Sequence, residues 1–321
     1  MRSIIRIKEL PVLTLCAGLF VYFVLRAPNF VEPMGMLDDL RQYAAYAILA
    51  VGLTLIIGSG GIDISVGSVL GFSTVLLGVI LSRTDTSLAV ACLAAVAGGT
   101  AWGAFNGFAV ARLRLQPVVV TLSTFAAARG IAYVMAGQGI SSIKLPARAE
   151  WLANVSYASP APVVLALVVA VAGWLALSCS PFGRRILAIG GNEEAARLSG
   201  IDVSRVKLLV YAITGFLAGV AGVITAGMMS TAQTDAGLGY EFEAITAVLI
   251  GGTSILGGEA TVLGSVLGVV AAAILNRGFG LMGISDVWRM MFLGVMLIAS
   301  VLLDRLRKHV ALRSIKASIL E

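Results

Sequence analysis

The sequence predicts an all-α polytopic membrane protein, and three observations carry that prediction. Of the 321 residues, 59% are hydrophobic and only 12% are charged, with a mean hydropathy of +0.97. A soluble domain is about a quarter charged. Apolar runs of roughly 20 residues, enough to cross a bilayer, recur from end to end. "PVLTLCAGLFVYFVLRA", "YAAYAILAVGLTLIIG", "SLAVACLAAVAGGTAWGAF", "APVVLALVVAVAGWLALS" and "WRMMFLGVMLIASVLL" are the clearest. These runs are continuous rather than alternating, which excludes a β-barrel. One transmembrane domain over residues 1–321 is expected, with no room for a large soluble one.

About ten spans are expected, near 11–28, 42–58, 62–82, 88–110, 118–137, 162–178, 207–227, 241–256, 261–281 and 288–304. The first follows Arg2, Arg6 and Lys8, as a signal peptide would. No small-x-small cleavage site follows it, so it reads as a retained span. With the N-terminus in the cytoplasm, the inner segments hold those three together with Arg112, Arg114, Arg184, Arg185, Arg197, Arg205, Lys207, Arg305, Arg307, Lys308, Arg313 and Lys316. That is 15 of the 23 Lys and Arg. The excess of positive charge inside therefore places both termini in the cytoplasm. The same clustering makes the net charge of +6 a matter of orientation rather than of nucleic-acid binding. Two connections are long: 138–161, expected outside, and 180–206, expected in the cytoplasm; extra function should gather on them. Cys16, Cys92 and Cys179 each stand alone in a predicted span, and neither a metal site nor a disulfide framework can be built from them.

The chain repeats itself. Set ungapped over "AVLIGGTSILGGEATVLGSVLG" (Ala247 to Gly268), the stretch "AVGLTLIIGSGGIDISVGSVLG" (Ala50 to Gly71) is identical at nine of 22 positions. In each copy an apolar segment meets a glycine break, then an acidic residue, then a new helix. The residues concerned are Gly60, Gly61, Asp63, Ser65 and Gly67 in the first copy. In the second they are Gly251, Gly252, Gly257, Gly258 and Glu259. Paired glycine-interrupted segments in two halves point to a transport pathway. The first copy is no phosphate loop: no lysine follows Gly67, and none lies between Lys8 and Lys144.

Each polar residue within a span has two readings. A carboxylate such as Asp63 is costly at the centre of a membrane helix. It can serve as an N-cap for the helix after the break, or it can meet a solute or proton. Arg129 can hydrogen-bond between helices, or donate to a polar solute path. Thr121, Ser123 and Thr124, upstream on the same span, could face that path, and Asn106 has the same balance. In "GGNEEAARLSGIDVSRVK", Asn192 can cap a short helix with Glu193 and Glu194 in its first turn, Arg197 towards its end and Gly200 as its stop. Such a helix is either a solvated connection or a docking knob for a soluble partner. No catalytic set is present: the one histidine is His309, in the basic tail, and there is no G-x-S-x-G or H-E-x-x-H.

Several stretches together resemble the permease subunits of bacterial ABC importers for monosaccharides, the ribose/xylose/galactose type. They are "APNFVEPMGML", "GGIDISVGS" (with Ile64 where leucine is usual), "AWGAFNGFAVARLRLQPVVVTLST", "RGIAYVMAGQGI", "AIGGNEEAARLSGIDVSRVK" and "FEAITAVLIGGTSILGGEATVLGSVLG". They run in the family's order over about residues 28–304. The resemblance implies an inner-membrane pore of two permease subunits, as a homodimer or a pair with a paralogue. It also implies two cytoplasmic ATPase domains that alone bind ATP-Mg, and a periplasmic sugar-binding protein. Glu194, Ala195, Ala196 and Gly200 match the E-A-A-x-x-x-G coupling motif of such permeases, whose helix docks on the ATPase. No cofactor or metal is implied for the chain itself, and it is not expected to be an enzyme. "KLPARAEWLANVSYASPAP" departs from the family pattern. Two alternatives stay open: an ABC permease for another small polar solute such as an amino acid, and a secondary transporter working alone. The "GGIDISVG" block favours sugar, and the coupling-like loop argues against a stand-alone transporter.

Overall fold

A computed structural model describes residues 9–302 except 138, 286, 293 and 300. The terminal clusters Arg2, Arg6, Lys8 and Arg305 to Lys316, with His309, lie outside the described residues. The helices are α1 (Leu10–Arg26), α2 (Pro33–Gly58), α3 (Val66–Arg83), α4 (Leu88–Ala111), α5 (Pro117–Ala136), α6 (Glu150–Ala153), α7 (Ala161–Trp174), α8 (Pro181–Gly191), α9 (Glu193–Leu198), α10 (Val203–Met229), α11 (Tyr240–Ile250), α12 (Val262–Leu281) and α13 (Val287–Ala299). Two short strands, β1 (Ser142–Lys144) and β2 (Thr231–Gln233), pair antiparallel. Seven of the described helices are long and apolar enough to cross a membrane: α2 to α5, α7 with its extension to Cys179, α10 and α12; α1 and α13 are shorter apolar helices.

The helices run up and down between two ends. One end carries the long connection folded as α8 and α9, here called the knob end; the other carries the β1–β2 pair. α2 and α10 lie at the centre, with most of their apolar side chains buried in one continuous core. Small residues let the backbones approach. On α4, Gly99 and Gly103 face Gly215 and Gly219 of α10, and Gly107 faces Leu208 and Tyr211. A side chain at Gly103 would run into the Tyr211 carbonyl and the Gly215 backbone. This small-xxx-small packing is how helices associate where no water drives burial.

At the sheet end, arginines fasten helix termini and the α1–α2 turn. Arg83 donates to the Met135 and Ala136 carbonyls at the end of α5, at 3.0 and 3.2 Å. Arg148 donates to Leu81 and Thr84 at the end of α3. Arg277 reaches Phe30 at 2.7 Å and pairs with Asp39, also at 2.7 Å. Terminal carbonyls are the negative pole of a helix and have no partner within it, so a guanidinium serves both needs.

The structure departs from the expected spans in three places. α2 begins at Pro33, not at 42. The first-repeat helix begins at Val66, not at 62, so Asp63 precedes it. The segment expected to span 241–256 holds only the 11-residue helix α11. At 1.5 Å per residue that is about 16 Å, roughly half the hydrocarbon thickness. The chain reaches α11 through β2 and a run of turns, 234–239, that descends along α3: Ala232 lies against Gly78, Ala236 against Gly71 and Gly237 against Gly67. Irregular backbone at membrane depth is tolerated only where protein supplies its hydrogen bonds. The apolar signal there is real, but Gly251 and Gly252 end α11 after Ile250, and Asp235, Gly237 and Gly239 keep the chain before it out of a helix.

Replacing Gly103 by leucine should lower the unfolding free energy by about 1–3 kcal/mol or more, because neither backbone can yield. Gly130→Ala, with open space around its Cα, should change it little. Unfolding in mixed micelles measures both.

Candidate functional site

The two glycine breaks of the repeat meet in space. The Gly258 N–H donates to the Gly58 carbonyl at 3.1 Å, and Gly257 lies directly on Gly60. The end of α8 closes the same point: Gly190 is packed against the Gly58 carbonyl and the Gly258 amide, and Gly191 against Gly258. Gly60, Gly257 and Gly258 have φ of +80°, +81° and +79°, a region in which a side chain is strained. Gly61 abuts the Tyr211 hydroxyl, Gly251 packs on Gly264 of α12, and Gly252 turns outward with φ +94°.

The knob itself is built as its sequence suggests. Asn192 Oδ1 accepts from the Ala195 N–H at 2.9 Å, capping α9. At the other end Gly200, φ +83°, donates to the Arg197 carbonyl and Ile201 to the Ala196 carbonyl, a Schellman stop. Ala196 is buried against the protein, whereas Glu194, Ala195 and Leu198 are exposed. Glu193 bridges Lys207 at 2.6 Å and Arg197 at 2.9 Å. The Lys207 bond holds its carboxyl below the usual carboxylate range. That contribution to the fold is present above the unfolded carboxyl pKa and is lost as pH falls through the lowered folded value.

Asp63 is buried, but it is not an N-cap. Ser65 occupies that position without a side-chain cap, and Asp63 Oδ1 instead accepts from the Ser65 N–H (2.8 Å) and Oγ (2.6 Å) in an Asx turn. Asn106 Nδ2 of α4 donates to Ser65 Oγ at 2.9 Å. Tyr211 Oη and Thr121 Oγ1 approach the Ile62 carbonyl at 3.4 and 3.5 Å. Asp63, Ser65, Asn106 and Thr121 thus form one buried knot joining α3, α4, α5 and α10. Thr124 is buried beside it, donating to the Thr121 carbonyl.

Arg129 lies further along α5. Its guanidinium donates to the Thr234 and Ala236 carbonyls, both at 2.8 Å, and reaches the Gly67 carbonyl at 3.4 Å. It therefore supplies hydrogen bonds to the turns between β2 and α11. Two expectations are corrected. Ser123 does not share the buried face of Thr121, Thr124 and Arg129; it is exposed, about 200° around α5 from Thr121 and about 100° from Thr124. Glu259 is exposed and has no environment like that of Asp63.

Sequence reasoning missed a second set. Glu241 is 1% exposed, its Oε1 accepting from Gly239 N–H at 3.1 Å and its Oε2 packed on Gly67. Tyr43, Tyr46 and Tyr240 stack at 4.9 and 4.0 Å between ring centres, with Glu243 beside Tyr46. The "YEFE" start of α11 was the available signal: acids at a helix N-terminus within an apolar run.

This is the architecture of a multi-pass transport protein of the cytoplasmic membrane. The family model described as "Branched-chain amino acid transport system / permease component" matches residues 35–301. The chain is 36% identical over 294 residues to the ribose import permease protein RbsC of Bacillus subtilis, covering 90% of this chain and 91% of that one. Against the Escherichia coli K12 protein of the same name the identity is 38% over 282 residues, 87% and 88% of the two chains. With the L-arabinose transport system permease protein AraH of that strain it is 31% over 301 residues, 92% and 90%. No solved structure matches the chain. The chain belongs to this permease family of ABC importers.

Asp63→Ala leaves the buried Ser65 N–H and Oγ without their acceptor and should cost about 1–3 kcal/mol. Asp63→Asn keeps an accepting oxygen and should cost less, and Asp85→Ala, fully exposed, almost nothing. Thermal unfolding of the three variants checks the order.

Proposed function

We propose that the chain is the membrane permease subunit of an ATP-driven importer that passes a monosaccharide into the cytoplasm. In this reading α9 is the coupling helix. The observation that carries it is the seat of the knob: a capped helix with exposed Glu194 and Leu198, attached through Gly190 to both glycine breaks. A soluble ATPase gripping α9 would act on α2, α3, α11 and α12 at one point. ATP-Mg is bound and hydrolysed by that partner, a periplasmic sugar-binding protein delivers the solute, and the pore is completed by a second copy or a paralogue.

The knob end is assigned to the cytoplasm, where Arg112, Arg114, Arg184, Arg185 and Arg205 are exposed. The arginines of the sheet end are by contrast engaged on carbonyls. Ten crossings result if the non-helical segment 231–239 and α11 together count as one, and both termini then lie inside. The solute class rests on the relatives named for ribose and L-arabinose. The family description names a different solute, but these relatives match about nine-tenths of the chain. A stacked tyrosine group beside a carboxylate also suits a hydroxyl-rich solute.

Glu194→Lys and Gly200→Glu should each abolish ATP-driven uptake of ribose or L-arabinose in proteoliposomes holding the ATPase and binding protein, with membrane insertion unchanged. Glu194 is exposed, so its change strains nothing. Normal uptake in both would remove the coupling assignment. Failure of the unaltered complex to import either sugar, with amino-acid uptake instead, would remove the solute assignment.

A further inference from the structure

At the knob end a cleft of about 290 Å³ opens between the α4–α5 turn, α9 and the start of α10. Its polar lining is Arg114, Gln116, Glu193, Arg197, Ser204 and Lys207. Three cations face Glu193, and Glu194 pairs with Arg197 from outside the cleft at 3.3 Å, which leaves a local excess of one positive charge. Glu193 is already engaged by Lys207 and Arg197. Arg114 makes no ion pair among the described residues, and its backbone is left-handed, φ +55°, a conformation that a non-glycine residue adopts only when its surroundings hold it there. The cleft is thus built to receive an anion.

The walls identify the source of that anion. Leu115 lines the cleft, and the side chains next to it along the α4–α5 turn and α5 are apolar and exposed: Leu113 at 56%, Val119 at 57% and Leu122 at 54%. A cationic cleft at the end of the spans, continuous with an exposed apolar strip, matches a molecule with a phosphate head and an acyl tail. Basic pockets between transmembrane helices are recurrent sites for anionic headgroups. We propose that this cleft binds the phosphate headgroup of an anionic phospholipid, its acyl chain lying along Leu115, Val119 and Leu122. Bound there, the headgroup ties Arg197 of α9 to the α4–α5 turn, so the lipid steadies the knob. The proposal is independent of the solute.

The test uses the full chain in nanodiscs of phosphatidylcholine alone, phosphatidylcholine with phosphatidylglycerol, and phosphatidylcholine with inorganic phosphate added. Phosphatidylglycerol should raise the thermal unfolding midpoint of the unaltered chain, and native mass spectrometry should show it retained. Inorganic phosphate should produce no such shift. Arg114→Gly suits the left-handed backbone while deleting the cation. It should match the unaltered chain in phosphatidylcholine and lose both the shift and the retained lipid; Arg114→Gln should do the same. Arg184→Gln, on the exposed face of α8 away from the cleft, should keep both. The proposal is overturned if the Arg114 variants keep the shift, if Arg184→Gln loses it equally, or if phosphate alone reproduces it.

Discussion

Three backbone segments meet at one point without side chains between them, and much of the architecture depends on that contact. Gly58 to Gly60, Gly257 and Gly258, and Gly190 and Gly191 touch main chain to main chain. Packed interiors transmit displacement because they have no slack, and a contact made of backbone has less slack than one made of rotatable side chains. The knob therefore cannot shift without moving the end of α2 and the turn between α11 and α12. This gives the internal repeat a physical meaning: two copies of a glycine break are needed because each supplies one face of the junction.

A second constraint is the satisfaction of backbone inside the bilayer. The non-helical segment 231–239 would be forbidden in lipid. It survives because Arg129 feeds its carbonyls and because glycines on α3 let it lie close. The knot around Asp63 does the same for the break before α3, where the carboxylate accepts from the turn that the glycines leave open. Charged residues in this protein thus hold irregular chain in place, and the helices between them are held by small residues.

The membrane class and the paired breaks were legible because hydrophobic runs and glycine pairs are local features of the chain. The capped knob was legible for the same reason: Asn192 and Gly200 act within one turn of α9. Less was visible where partners come from afar. The role of Arg129 depends on carbonyls more than a hundred residues later, and the exposure of Ser123 on its rotation about α5. The half-length of α11 was hidden because a long apolar run gives little sign of where helix gives way to turns. The Asx turn at Asp63 lay one step from the N-cap reading: the residue type was right, but the N-cap is Ser65, two residues later. The small-residue ladder on α4 and α10, at every fourth position, was present in the sequence and went unread.

On the proposed function, the central claim is that the knob and both breaks form one rigid body in the working transporter. Spin labels at Glu194 and Glu259, both exposed, test it in the complex with its ATPase. The account predicts that their separation stays the same with and without ATP, while the separation between labels at Glu194 and Asp85, at the opposite end, changes. A Glu194–Glu259 separation that shifts or broadens with nucleotide would contradict it.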